Sequence, residues 1–196
     1  MLDILLRPFA FLGVQHPDKK LRLINWVLPF LLAVVSTALM LGVSGLNVFG
    51  ETGLLAKIQN FVQSLPGFYL AALTAVAAFG NAGMDELMPG TPPTGAILHN
   101  GSITRVDLTR RRMLSMMFAF LTAASFLLTF ALIAAVSFAG LTHSWMLGWG
   151  LSYAGCLVLL VKGLVIFSAM FVLWQMVLIT GWGLFYLGDR IHTPDT

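Results

Sequence analysis

Two polar side chains lie within the most apolar stretch of this sequence, residues 147–187. In that stretch Lys162 is the only charged residue and Gln175 is the only amide. A helix crosses a membrane with roughly 20 apolar residues, and an ionisable residue within one is costly and commonly marks an ion or substrate pathway. A lysine can also extend its long stem and place its ammonium at the membrane surface. Lys162 and Gln175 are therefore candidate intramembrane functional residues, with the extended lysine as the simpler explanation.

The other ionisable residues form no pattern that supports catalysis or metal binding. Adjacent carboxylates point in different directions on a helix, so Asp85 and Glu86 suit a solvated helix end better than a proton site. The sequence contains no zinc-protease, phosphate-loop, dinucleotide or nucleophile-elbow motif. The histidines are scattered over predicted loops and termini: His16, His99, His143 and His192. We therefore expect no enzymatic activity, no cofactor and no metal.

The composition determines the class of protein. Of 196 residues, 58% are hydrophobic and only 10% are charged, whereas a soluble domain carries about a quarter charged residues. The single Cys156 excludes an internal disulfide. The pattern predicts an all-α, polytopic transmembrane bundle that forms one domain over residues 1–196. Its four predicted spans cover residues 26–46, 66–87, 113–139 and 163–187.

The final apolar run is about twice as long as one span requires. Trp149 and Trp182 would lie about 50 Å apart in a continuous helix, which exceeds the thickness of a bilayer. One explanation is a turn at residues 140–144, followed by a helix whose residues 145–162 extend outward beyond the membrane. The other is a hairpin that turns at Lys162 and Gly163 and adds a fifth span. We favour the extension, because both ends of the chain then obey the positive-inside rule.

Residues 85–112 form the one sizeable polar segment, and we expect a small hairpin within it. Asn100 and Gly101 both accept positive φ, and they separate two short apolar-containing runs. An isolated hairpin is marginal in water, so this one is expected to pack on another part of the protein. A partner protein is expected to bind at and around the turn, through Ile97, His99, Asn100, Gly101, Ile103 and Arg105.

Basic residues flank the apolar runs unevenly and therefore predict the topology. Under the positive-inside rule, two clusters place both termini and the loop at residues 85–112 in the cytosol. Residues 1–23 are expected to lie as an interfacial segment on the same side. The clusters also suit contact with anionic lipid. The six anchoring residues are Lys19, Lys20, Arg22, Arg110, Arg111 and Arg112.

The layout resembles the membrane subunit of Kiwa-type anti-phage defence systems. The resemblance lies in Lys19-Lys20-Leu21-Arg22 before the span at 26–46, the polar loop at 85–112 and the two apolar runs after it. It covers the whole chain and includes no motif from which site residues can be transferred. It implies a homo-oligomer of the bacterial inner membrane that detects phage attack. It also implies a separate cytosolic, DNA-binding partner protein.

The leading hypothesis from the sequence is a non-enzymatic membrane sensor or scaffold. It would form homo-oligomers and dock a cytosolic protein through the loop at residues 85–112 and the terminal tails, without binding nucleic acid itself. The alternative is a small ion channel, pore or transporter. In that case Lys162 and Gln175 would line a path together with the hydroxyls of the third span, Thr122, Ser125 and Thr129.

Overall fold

The computed structural model describes residues 6–15, 20–43, 45–78, 82–87, 92–99, 102–148 and 154–190. In this part of the chain there are five α-helices and one antiparallel pair of strands. The helices are α1 (Leu28–Gly42), α2 (Leu54–Val62), α3 (Leu65–Ala78), α4 (Arg110–Gly148) and α5 (Ala154–Arg190). The strands are β1 (Thr94–His99) and β2 (Ser102–Asp107).

Four helical stretches are long and apolar enough to cross a membrane, which confirms the predicted polytopic bundle. Large apolar side chains lie on the outside of these stretches, including Phe30, Phe130 and Phe185, each more than half exposed. A helix that is apolar all round is stable in lipid, where its backbone hydrogen bonds are satisfied internally. The chain is therefore a multi-pass membrane protein. The stretches are Leu23–Gly42, Leu54–Ala78, Arg110–Gly140 and Gly155–Phe185.

Helix α4 packs against α2, α3 and α5, and α5 also packs against α1. The buried core comes largely from the two long helices, with Met117 and Leu121 on α4 and Ile166 on α5 fully buried. A hydrogen bond between side chains also links α3 to α5. The hydroxyl of Tyr69 on α3 lies 2.8 Å from the hydroxyl of Thr180. Such bonds give modest stabilisation in a membrane, about 0.6 kcal/mol on average.

The N-terminal segment is packed against the bundle. A 3₁₀ helix spans Arg7–Gly13, and its Phe11 is 1% exposed. The ring of Phe11 stacks on Phe120 of α4 with centroids 5.7 Å apart, and Phe9 meets the same ring edge-on at 5.9 Å. Residues 1–23 were expected to lie at the membrane interface. The described part of this segment instead buries its aromatic side chains against α4. An aromatic face that finds a protein partner does not have to be buried in lipid.

The connection between the last two helices differs from the expected one. Residues 140–144 are helical, and α4 continues to Gly148. Helix α5 runs unbroken past Lys162 and Gly163, so the hairpin that would have added a fifth span is wrong. An isolated glycine is a weak helix breaker, and a helix in an apolar medium keeps its internal hydrogen bonds. The extension expected at residues 145–162 is therefore divided, because its first residues end α4 and residues 154–162 begin α5.

The second span also has different bounds from those expected. It covers Leu54–Ala78 instead of residues 66–87, because α2 and α3 follow each other with only a short turn between them. Leu55 and Val62 of α2 are fully buried, so this amphipathic helix packs on the bundle. After Ala78, the described residues 82–87 form a 3₁₀ turn, Ala82–Met84, and a bend.

A tight connection precedes α2 at the end of the bundle opposite the strands. The Asn47 side chain accepts a hydrogen bond from the Gly50 N–H at 2.9 Å, and the Gly53 N–H donates to the Gly50 carbonyl at 2.7 Å. A Cβ atom on Gly53 would lie 2.7 Å from that carbonyl oxygen, whereas one on Gly67 in α3 would meet nothing within 4 Å. The surrounding backbone therefore leaves no room for a side chain at position 53, whereas position 67 has room for one.

Replacing Gly53 with alanine is expected to lower the free energy of unfolding by about 1–3 kcal/mol, because backbone atoms must move to admit the methyl group. The matched change Gly67→Ala is expected to be neutral or to stabilise by up to about 1 kcal/mol, since alanine favours a helix. Denaturant unfolding in detergent micelles, followed by circular dichroism, measures both changes. Equal losses in the two variants would contradict the close packing at Gly53.

Candidate functional site

The predicted hairpin is present. Strands β1 and β2 pair in antiparallel register from Thr94 opposite Asp107 to His99 opposite Ser102. That register leaves two residues for the connection, which is the length that an Asn-Gly turn favours. Asn100 and Gly101 themselves lie outside the described residues.

The base of this hairpin is fixed to the bundle by backbone hydrogen bonds. Gln15 and Thr94 exchange two bonds, with N···O distances of 3.1 and 2.9 Å. The Leu108 N–H donates to the Pro93 carbonyl at 3.0 Å, and the Arg110 N–H donates to the Glu86 carbonyl at 3.1 Å. We call this unit the hairpin platform. It consists of β1, β2 and the residues at their base, which are Gln15, Asp85, Glu86, Pro93, Leu108, Arg110 and Arg111.

Apolar packing reinforces the base of the hairpin platform. Leu108 is fully buried directly after β2. A Cβ atom on Gly95 would lie 2.9 Å from a methyl carbon of Leu108, so the strand approaches this side chain as closely as a glycine allows. The backbone bonds and the buried leucine together make the platform a structured element, not a flexible linker.

Ion pairs connect the platform to the start of α4. Arg111 binds Asp85 through two hydrogen bonds, Nε to Oδ1 at 2.8 Å and Nη2 to Oδ2 at 3.1 Å, and donates to the Ala77 carbonyl at 3.2 Å. Arg110 lies 4.0 Å from the Glu86 carboxylate. Exposed pairs contribute about 0–1 kcal/mol each, but bidentate geometry orients the groups strongly. Asp85 and Glu86 therefore hold arginines and do not form a separate proton site.

The residues expected to bind a partner occupy both faces of the ribbon. Because successive strand residues alternate between faces, Ile97 and His99 hold positions on one face and Ile103 and Arg105 on the other. Arg105 is exposed and donates a hydrogen bond through Nη1 to the Gln15 side-chain oxygen. The side chains of the other three lie outside the described set. The register therefore brings only part of the predicted set together on any one surface.

The basic anchors differ in their surroundings. Arg110 and Arg111 are held by the acidic pair, whereas the side chains of Arg22 and Arg112 are exposed and form no ion pair within the described part of the chain. Lys19 lies outside the described residues, and Lys20 begins the short helical turn Lys20–Arg22. The exposed arginines are therefore the ones available to an external anion.

Lys162 lies near the end of its span. The midpoint of Gly155–Phe185 is residue 170, eight residues from Lys162, which is about 12 Å along a helix. Half the thickness of a hydrocarbon core is about 15 Å, so a span centred on residue 170 puts the ammonium group of Lys162 within reach of the surface. Lys162 is half-buried and has no hydrogen-bond or ion-pair partner in the described residues. This position favours the extended lysine over a functional charge at depth.

Gln175 forms a buried hydrogen bond between helices. Its Nε2 donates to the Asn25 carbonyl at 2.7 Å, and the two residues are 4% and 3% exposed. In a regular α-helix that carbonyl would accept from residue 29, but Pro29 has no N–H. Asn25 lies in a π-helical segment, Leu23–Val27, directly before α1. Gln175 therefore satisfies a carbonyl oxygen that Pro29 cannot, which is a structural role.

The hydroxyl groups of the third span also bond locally. Thr122 donates to the Phe118 carbonyl, Ser125 to the Thr122 carbonyl and Thr129 to the Ser125 carbonyl, each at 2.8 Å. These are hydrogen bonds within a single helix, which satisfy a hydroxyl without a partner helix or a solvent path. Thr122 and Ser125 are buried inside one protomer. Their presence in the span is therefore accounted for by these bonds, without a polar pore.

Among the described residues, no group of three His, Cys, Asp or Glu side chains is placed to hold a metal ion. No protein-family model, curated protein or solved structure matches the chain. Its function must therefore be inferred from the geometry of its own residues.

Two structural contacts were not predicted from the sequence. The pairing of Gln15 with Thr94 has no local signal, because the two residues meet only when the N-terminal segment packs on α4. The Asn25 carbonyl did have a signal, because a proline four residues later inside a continuous helix leaves one carbonyl without its helical donor. Combined with the single amide of the last span, that signal would have pointed to the bond between Asn25 and Gln175.

Replacing Gln175 with leucine is expected to lower the free energy of unfolding by about 1–2 kcal/mol, because the Asn25 carbonyl loses its donor. Pro29→Ala supplies an N–H at the position where Pro29 lacks one, so the double variant should lose clearly less than the sum of the single changes. Unfolding in detergent, analysed as a double-mutant cycle, measures this coupling.

The matched control is Asn25→Leu. It removes a side chain whose oxygen has no partner in the described residues and leaves the backbone acceptor in place. It should therefore not abolish the coupling between positions 29 and 175. Additive effects of Pro29→Ala and Gln175→Leu would overturn this role for Gln175.

Proposed function

We propose that this membrane protein is a non-enzymatic scaffold or sensor that docks a cytosolic protein on the hairpin platform. The observation that carries the proposal is the way the platform is built. Its base is fixed by the bonds between Gln15 and Thr94, by Leu108 and by the pair of Arg111 with Asp85. A bare connection between two spans needs none of these contacts. A fixed platform presents the same surface to a partner every time and so reduces the entropy cost of binding.

The ribbon offers a partner both backbone and side-chain contacts. Among the described residues, no further strand pairs with β2, and β1 is paired on its outer side only at Thr94. An open strand edge accepts an extended peptide through main-chain hydrogen bonds. Ala96, Arg105 and Asp107 hold positions on one face of the ribbon and are all exposed. We therefore assign the docking surface to this face, together with the open edge of β2.

The resemblance to Kiwa membrane subunits extends this proposal. It assigns the protein to the bacterial inner membrane as a homo-oligomer, with both termini and the hairpin platform in the cytosol. It gives the partner as a DNA-binding protein and the process as anti-phage defence. The basic residues at the platform end, including Arg22 and Arg112, agree with a cytosolic side under the positive-inside rule.

The test introduces charge and bulk on the exposed face of the ribbon without removing a described hydrogen bond. Ala96→Arg is expected to lower recovery of the cytosolic partner about tenfold when tagged full-length protein is isolated from native membranes, because a new cation disrupts a complementary surface. The matched control is Thr52→Arg, at an exposed position in the connection at the opposite end of the bundle. Quantitative mass spectrometry of the isolated complex gives the measurement.

Each outcome bears on the docking surface. Loss of a stoichiometric protein in Ala96→Arg but not in Thr52→Arg supports it. Equal recovery of the partner protein with the two variants, when both are inserted in the membrane at wild-type levels, would contradict the ribbon as the docking site. If the platform-dependent protein also binds DNA, the Kiwa proposal gains support.

A small pore or transporter is the alternative function, and it predicts a different result. Purified protein in liposomes would then conduct ions, and Lys162→Leu would change the flux, because an intramembrane cation sets the electrostatic barrier for permeant ions. We expect no flux above that of empty vesicles, since Gln175 and the third-span hydroxyls already bond within the protein. An ion flux that depends on Lys162 would contradict the scaffold function and support the pore.

A further inference from the structure

A groove with a cation at one end runs between α5 and the segment that leads into α1. Its volume is about 640 Å³, within the range of about 300–1,000 Å³ that is typical of small-molecule sites. From Arg22 to Leu31 it extends about 13 Å along the helix. The lining residues are Arg22, Trp26, Val27, Phe30, Leu31, Phe167 and Phe171.

The walls of the groove are aromatic and arranged in a regular way. Trp26 and Phe30 are four residues apart on one side, and Phe167 and Phe171 are four residues apart on the other. The ring centroids of Trp26 and Phe171 lie 6.2 Å apart, and those of Phe30 and Phe167 lie 5.6 Å apart. These contacts hold the walls together while Trp26 and Phe30 remain about half exposed. The groove is therefore a formed surface that opens to the medium around the bundle.

The π-helical segment determines which side chains face the groove. Asn25 is buried on the inner side by the bond from Gln175, and its neighbours Trp26 and Val27 are exposed on the outer side. Arg22 stands four residues before Trp26, so it lies on the same side of the helix. π-helical turns are rare and occur frequently at functional sites. The bond that satisfies the Asn25 carbonyl thus also holds the groove open.

We infer that this groove binds an anionic phospholipid, with its phosphate at Arg22 and an acyl chain along the aromatic walls. Arginine pairs with phosphate through two parallel hydrogen bonds, and Arg22 has no carboxylate partner within the described part of the chain. Trp26 lies next to the cation and near the start of the first candidate span, Leu23–Gly42, and tryptophan is enriched where spans meet lipid headgroups. Lys19 and Lys20 adjoin Arg22 in the sequence, so the neighbourhood favours a headgroup with net negative charge.

A second copy of the chain fits this groove less well than a lipid. None of the four candidate spans contains an aspartate or glutamate that could face Arg22. All eight carboxylates of the sequence lie outside the spans, and of the described ones Asp85 and Glu86 already hold Arg111 and Arg110. A phospholipid brings the anion and the apolar chain in one molecule, in the order in which the groove presents the cation and the rings. The inference stands independently of the docking of a cytosolic protein.

Native mass spectrometry of the full-length protein in detergent tests the site, with phosphatidylglycerol and phosphatidylcholine of identical acyl chains as probes. The wild type should bind phosphatidylglycerol more tightly than phosphatidylcholine. Arg22→Gln should weaken phosphatidylglycerol binding about tenfold and leave phosphatidylcholine binding unchanged, because only the charge-assisted contact is lost. The matched control Arg112→Gln removes an exposed arginine outside the groove and should change either affinity less than about twofold.

Several results would overturn the inference. Equal affinities of the wild type for the two lipids would remove the anionic site. Equal losses in Arg22→Gln and Arg112→Gln would reduce the effect to diffuse attraction by the basic end of the bundle.

Two further measurements do not depend on the folding of the arginine variants. A diazirine-bearing phosphatidylglycerol should label wild-type residues 22–31 and 167–171, and labelling elsewhere alone would contradict the site. Leu31→Cys in a Cys156→Ser background should stay monomeric by disulfide analysis in native membranes. A disulfide-linked dimer would instead place a second copy on the groove.

Discussion

A carbonyl oxygen in an apolar medium has to find a donor, and the buried Asn25 carbonyl finds its donor on another helix. Pro29 removes the donor that a regular helix would supply, and Gln175 provides one from α5 at 2.7 Å. The bond sets the rotation of the segment before α1, since it holds Asn25 inward and leaves Arg22 and Trp26 outward. The aromatic groove and the packing of α1 on α5 both depend on that rotation.

The described polar residues named above fall into three groups with different roles. Within the spans, Thr122, Ser125 and Gln175 satisfy backbone carbonyls and so maintain the bundle. At the platform end, Asp85 and Arg111 fix the loop to the start of α4. A third group of described residues, which includes Arg22, forms no ion pair within the described part of the chain and stays open to external molecules. The polar groups that remain open to other molecules thus lie at the surface of the described bundle, and many of them lie at its platform end.

The sequence was sufficient for features that depend on local composition. The four spans follow from length and apolarity, and the hairpin follows from Asn100 and Gly101. The helix ends were less predictable, because Gly140 is a weak signal when an apolar medium holds the helix together. The pairing of Gln15 with Thr94 could not be predicted, since it depends on Phe11 stacking against α4. Local chemistry specifies elements, and contacts between distant segments specify the surfaces that they form.

The helices of this bundle are unequal in length, and that inequality acts on the surrounding bilayer. The first candidate span has 20 residues, about 30 Å, whereas the third and fourth have 31 residues each, about 46 Å. A hydrocarbon core of about 30 Å matches the first and is too thin for the other two. Hydrophobic mismatch of this kind is relieved by tilt or by local thickening of the lipid. The ends of α4 and α5 therefore either tilt within the bilayer or stand beyond its hydrocarbon, so the two sides of this bundle meet the surrounding lipid differently.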